Sequence, residues 1–276
     1  NLTNIQAQLA NFQLFRFNIV SPSPWTLFIS FSLLILTMGS VVYFHGYASP
    51  FGDSGFSLLL LGLISTCLCI ALWLRDVVTE GTFLGDHTIA VQKGLSLGMV
   101  FFILSEVFFF ISIFWALFNS SLSPDVTLGG QWPPVGIQSI NPFELPLLNT
   151  LLLLTSGATV TYSHHAVINK NRAGAISGLI LTVVLAVVFT VCQGIEYYNA
   201  PFSIADGVYG STFFLSTGFH GLHVIVGTIM LAVSLGRMIQ YHFTNTHHVG
   251  YESSILYWHF VDVVWLFLFV SVYWYG

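Results

Sequence analysis

A chain of 276 residues with 55% hydrophobic and only 6% charged side chains cannot cover its own surface in water, where a globular domain carries about 25% charged residues. The formal net charge of -5 is too small to imply a nucleic-acid or acidic-substrate partner. What remains is an all-α polytopic membrane protein, because only helices keep their backbone satisfied in lipid unless strands close into a barrel.

In chain order, the opening "NLTNIQAQLANFQLFRF" resembles neither a secretory signal nor an Arg-rich transit peptide. The expectation is a chain inserted where it is made. A hydrocarbon core of about 30 Å needs roughly 20 apolar residues of helix, and seven runs reach that length. "SPSP" precedes the first, Trp25–Phe44, and "GYASPFGDSG" separates it from the second, Phe56–Leu74. Cys67 and Cys69 lie in that second run. A C-x-C pair on a helix points to different faces, so these two, like Cys192, read as small packing residues rather than metal ligands.

The connection "RDVVTEGTFLGDHT", Arg75 to Thr88, is the densest polar stretch, carrying Arg75, Asp76, Glu80, Asp86 and His87. Either a solvated helix extension or a lipid head-group site fits it. The third run, Leu95–Phe118, holds one charge in 24 residues, Glu106, set in "LSEVFFF". After "WPP" come Leu145–Val167, ending near His164 and His165, then Ala173–Tyr197. Tyr209–Leu235 carries His220 and His223, and Glu252–Tyr275 carries His259 and Asp262. No repeat or low-complexity tract interrupts the series, so one transmembrane domain over 1–276 is expected.

All six basic residues fall on one side of this topology: Arg16, Arg75, Lys93, Lys170, Arg172 and Arg237. The positive-inside rule then puts the N-terminus in the cytoplasm or matrix and the C-terminus outside. Trp25, Trp73, Trp115, Tyr273, Trp274 and Tyr275 sit near run ends, where an interfacial belt is expected.

An acid at the bilayer centre costs on the order of 2.5–3.5 kcal/mol and therefore faces protein or water. Glu106 and Asp262 are the acids deepest in the runs. A neutral or hydrogen-bonded carboxyl fixing helix contacts suits these settings better than a proton relay. His220 and His223, three apart, share a helix face. Histidines on two helices could ligate a b-type haem, but no pair has a distinctive haem spacing. No E-x-x-H motif supports a di-iron bundle.

The motifs "SPSPW", "RDVV", "VQKG", "LSEVFFF", "WPPVGI", "PLLNT", "DGVYGSTFF", "TGFHGLHVIVG", "WHFVDVVWLFLF" and "VYWYG" occur in this order. Through them the chain closely resembles subunit three of the mitochondrial cytochrome c oxidase, over all but about its first twenty residues. The resemblance implies seven helices, with helices one and two splayed from helices three to seven by a lipid-filled cleft. It implies no cofactor in this chain, with haem a, haem a3 and copper held by subunits one and two, and accessory subunits and membrane lipids as further partners. The implied role is to stabilise the catalytic core, bind phospholipid and support matrix-side proton uptake. The implied location is the mitochondrial inner membrane, N-terminus in the matrix and C-terminus in the intermembrane space.

By motif, the resemblance places Glu106 beside the cleft, Glu80, His87 and His223 near lipid head groups, and Arg237 at a basic lipid-binding position. Asp262 and His259 are read as structural polar residues. Leu74, Thr79 and Asp86 depart from animal relatives, which implies a different local arrangement at the second helix. On the residues alone, a haem-bearing membrane cytochrome and a proton-coupled transporter using Glu106 and Asp262 are the rival classes, the latter opposed by the absence of a visible repeat.

Overall fold

The computed structural model describes residues 15, 17, 22–46 and 55–276. Arg16, Ser21 and residues 47–54 of the first connection lie outside the described residues. Among those described there is no strand, and seven helices are long and apolar enough to cross a membrane. They are α1 (Trp25–Phe44), α2 (Phe56–Thr79), α3 (Ile89–Leu122), α4 (Leu145–Ile168), α5 (Arg172–Asn199), α6 (Gly207–Ile239) and α7 (Val249–Leu268). α2 continues through a π turn at Glu80–Leu84, and α7 through another at Phe269–Trp274.

Several helices outrun their apolar cores. α3 has 34 residues and α6 has 33, about 50 Å each at 1.5 Å per residue. Their ends therefore extend past a hydrocarbon layer of about 30 Å. The polar stretch after Leu74 is helical as far as Leu84 because it holds no proline and its first glycine is Gly81. The left-handed Gly85 then ends it, at φ 72°.

The chain forms two compact units that divide at Gly94 and Leu95, within α3. In the first, α1 and α2 pair through small residues. Ser32, Gly39, Gly62 and Thr66 are the buried positions of the two helices. A Cβ on Gly62 would lie 2.5 Å from Leu36 Cα, and one on Gly39 would lie 2.7 Å from the Leu59 nitrogen. Small residues permit such close backbone approach, which is how helices associate where lipid removes the hydrophobic drive. The Trp25 indole N–H also donates to the Asp76 carboxylate, joining the start of α1 to the end of α2.

In the second unit α7 is central. Within its most apolar window 61% of residues are buried, against 33–39% for α4, α5 and α6. Its large polar aromatics recur every seven residues on the face toward α4. Tyr251 donates to Ser163 at 2.7 Å, Trp258 to Ser156 at 2.9 Å and Trp265 to Thr150 at 2.9 Å. Each ring contributes apolar bulk while its one donor finds a hydroxyl. Gly227 of α6 leaves room for Trp258, since a Cβ there would meet the indole at 2.9 Å.

Candidate functional site

α3 is apolar on nearly every face, and Glu106 interrupts it halfway along. Across from it on α6, His223 Nδ1–H donates to the Phe219 carbonyl at 2.7 Å. That bond commits Nδ1 as a donor and turns Nε2 toward Glu106, whose Oε2 lies 3.0 Å away. Two proton arrangements satisfy this geometry: a carboxylic acid donating to a neutral imidazole, or an imidazolium donating to a carboxylate. Interconverting them moves one proton along one hydrogen bond and leaves the heavy atoms in place.

The surroundings are aromatic. The Phe110 ring lies 5.1 Å from the imidazole, and Tyr257 stacks on it at 6.2 Å. The His223 side chain is 8% exposed and that of Glu106 25%. The contact is thus buried on the His223 side and part-exposed on the Glu106 side.

His220, one turn away on the same helix, is a buried core residue. Its Nε2–H donates to the Val261 carbonyl at 3.2 Å, and its ring lies 5.0 Å from that of Trp265. Asp262 is buried against Gly157, where a Cβ would lie 2.5 Å from Oδ2. His259 Nδ1 stands 3.8 Å from the same oxygen, and His259 Nε2 lies 3.3 Å from the Thr161 hydroxyl. Asp262 and His259 thus bracket the α4–α7 contact. Arg237, in the last turn of α6, lies over the Phe243 ring at 4.5 Å.

Glu80 and His87 belong to the first unit. Glu80 opens the π turn, and its carbonyl accepts from Asp86 N–H at 3.2 Å. The resulting fold-back lays His87 on Gly81, where a Cβ would stand 2.7 Å from Nδ1. The structure therefore brings Glu106 together with His223, Asp262 with His259, and the Glu80 backbone with the His87 segment.

One cluster escaped sequence reasoning. Glu196, in the last turn of α5, is buried. Tyr273 donates to its Oε1 at 2.5 Å and Gln193 Nε2 to the same oxygen at 3.1 Å. Asn149 donates to Gln193 in turn at 3.3 Å. Glu196 lies near a helix end, and the packing of α4, α5 and the end of α7 buries it. The spacing of Gln193 and Glu196 on one face was the available signal.

With this geometry in view, comparisons with known proteins agree closely. The family profile described as cytochrome c oxidase subunit III matches residues 15–276. The chain is 66% identical over 273 residues to cytochrome c oxidase subunit 3 of Mycosarcoma maydis, covering 99% of both chains. It is 62% identical to that of Rhizopus stolonifer, covering 94% of this chain and 90% of the relative. For Emericella nidulans the identity is 59%, with 96% and 97% covered.

Proposed function

The chain belongs to the cytochrome c oxidase subunit III family, and from that premise we propose that it is the redox-silent support subunit of a mitochondrial oxidase. The catalytic work belongs to the partners: haem a, haem a3 and copper reside in subunits one and two. This chain stabilises the catalytic subunit, holds phospholipid and assists proton uptake on the matrix side. Lipid is held by Glu80, His87, Glu106, His223 and Arg237, while Asp262 and His259 fix helices. The N-terminus lies in the matrix, as the one-sided placement of Lys and Arg supports.

One observation carries this reading. The ionisable groups deepest in the helices are engaged in helix-to-helix contacts: Glu106 with His223, His220 with Val261, His259 with Thr161, and Asp262 against Gly157. Such contacts fix helix positions, and Glu106 keeps a quarter of its side chain exposed beside its bond to His223.

The test uses oxidase captured through a tag on this chain in mild detergent, with its optical spectrum recorded before and after the chain is selectively stripped away. Haem absorbance remaining with the residual core supports the proposal. Haem leaving with this chain makes its histidines ligands and overturns it. Phospholipid co-purifying with the complex should fall in Glu106→Gln and Arg237→Gln if those residues hold it.

A further inference from the structure

We propose that His164, His248 and Glu252 form a binding site for a divalent transition-metal ion, with zinc(II) the best fit to its ligands. The site lies where α4 ends and α7 begins. One ligand atom from each of the three residues falls within a 4.8 Å span. His164 Nε2 lies 3.3 Å from His248 Nε2, and Glu252 Oε1 lies 3.2 Å from that same His248 nitrogen. A tetrahedral ion with bonds of about 2.0–2.1 Å to imidazole nitrogen holds its ligand atoms about 3.3–3.4 Å apart. Two of the three separations are already of that size. Glu252, 47% exposed, has the freedom to bring the third to it.

The hydrogen-bond pattern points the same way. His248 Nδ1–H donates to the Thr244 carbonyl at 2.9 Å. A backbone carbonyl on the distal nitrogen is the usual device that fixes a metal-binding imidazole in the right tautomer. It leaves a lone pair on His248 Nε2, facing the Glu252 carboxylate oxygen. Two acceptors at 3.2 Å need a positive charge between them; a proton supplies it for one such pair, as at Glu106 and His223, whereas a metal ion is coordinated by His164 as well.

The site is also held in place. Tyr251, adjacent to Glu252, donates to Ser163, adjacent to His164, at 2.7 Å. The Tyr251 ring stands edge-on to the His164 imidazole at 6.0 Å. This bond fixes the two helices one residue from the ligands on either side, so little ordering remains to be done on binding. Two imidazoles and one carboxylate leave a fourth position for water or an exchangeable ligand.

The experiment uses purified, assembled oxidase, chelator-treated and desalted, then equilibrated with zinc chloride. Bound zinc per complex is counted by mass spectrometry for the wild type, His248→Ala and Glu252→Gln. The wild type should hold one zinc more than His248→Ala, and Glu252→Gln should weaken that zinc at least tenfold. X-ray absorption of the extra zinc should show two imidazoles and oxygen ligands. Equal zinc in wild type and both variants overturns the proposal, as does an extra zinc whose spectrum lacks imidazole. If His248→Ala fails to assemble, His164→Gln at its half-buried position gives the same count.

Discussion

At the scale of single residues, the Glu106–His223 bond can be taken apart by substitution. In Glu106→Gln the amide N–H donates to the imidazole lone pair while Nδ1–H stays on the Phe219 carbonyl, so the contact survives in neutral form. In Glu106→Ala the buried His223 Nε2 loses its partner, at a cost of about 1–3 kcal/mol. The temperature at which this chain is released from the oxidase should therefore drop clearly in Glu106→Ala and only slightly in Glu106→Gln. Equal losses would mean that the carboxylate charge, and not the hydrogen bond, holds the helices. A different residue carries a pH prediction outside the membrane. Asp125 accepts from the Thr127 backbone N–H and, secondly, from its hydroxyl, both at 2.8 Å. Together they hold its carboxyl below the usual carboxylate range. A depressed folded value means that the stabilisation is present above the unfolded value and is lost as pH falls through the folded one. In Thr127→Ala the backbone bond remains and the hydroxyl goes. The Asp125 carboxyl should then titrate above its wild-type value yet still below an ordinary aspartate, as isotope-edited infrared titration would show.

At the scale of helices, two contacts separate what could be read in the sequence from what could not. Tyr251, Trp258 and Trp265 recur at sevens, a period visible without coordinates. Their acceptors Ser163, Ser156 and Thr150 lie on a different helix and could not be assigned from spacing. Ser156→Ala strands the Trp258 indole N–H in the core, and interhelical bonds of this type are worth about 0.6 kcal/mol, reaching about 1.7. A loss within that range in the thermal release of the chain is expected. In α1 and α2 the small residues were legible but their register was not. Gly62→Val sets a Cβ against the Leu36 backbone, which cannot yield as a side chain could. Oxidase retaining this chain should become scarce in Gly62→Val. Gly98→Ala, whose Cβ meets nothing within 4 Å, should leave the yield unchanged.

At the scale of the whole molecule, apolar run length and helix count were legible because lipid imposes one rule on every span. The pairing of Glu106 with His223 was not legible: 117 residues separate them, and neither sits in a local motif that names a partner. The burial of Glu196 depends likewise on three helices meeting. That dependence on packing also ranks the helices by how much each relies on its surroundings. Only 11% of the most apolar window is buried in each of α1, α2 and α3, against 61% in α7. The first three helices therefore gain the least cover from the described packing. Stripping lipid with a harsh detergent should loosen the α1–α2 pair well before α4–α7, because the latter keep their internal hydroxyl–indole bonds and aromatic core. Amide hydrogen exchange, followed by mass spectrometry as lipid is withdrawn, should show α1 and α2 exchanging first and α7 last. Simultaneous exposure of all seven would mean that α7 draws its protection from the same lipid and partner contacts, and that its internal bonds do not act alone.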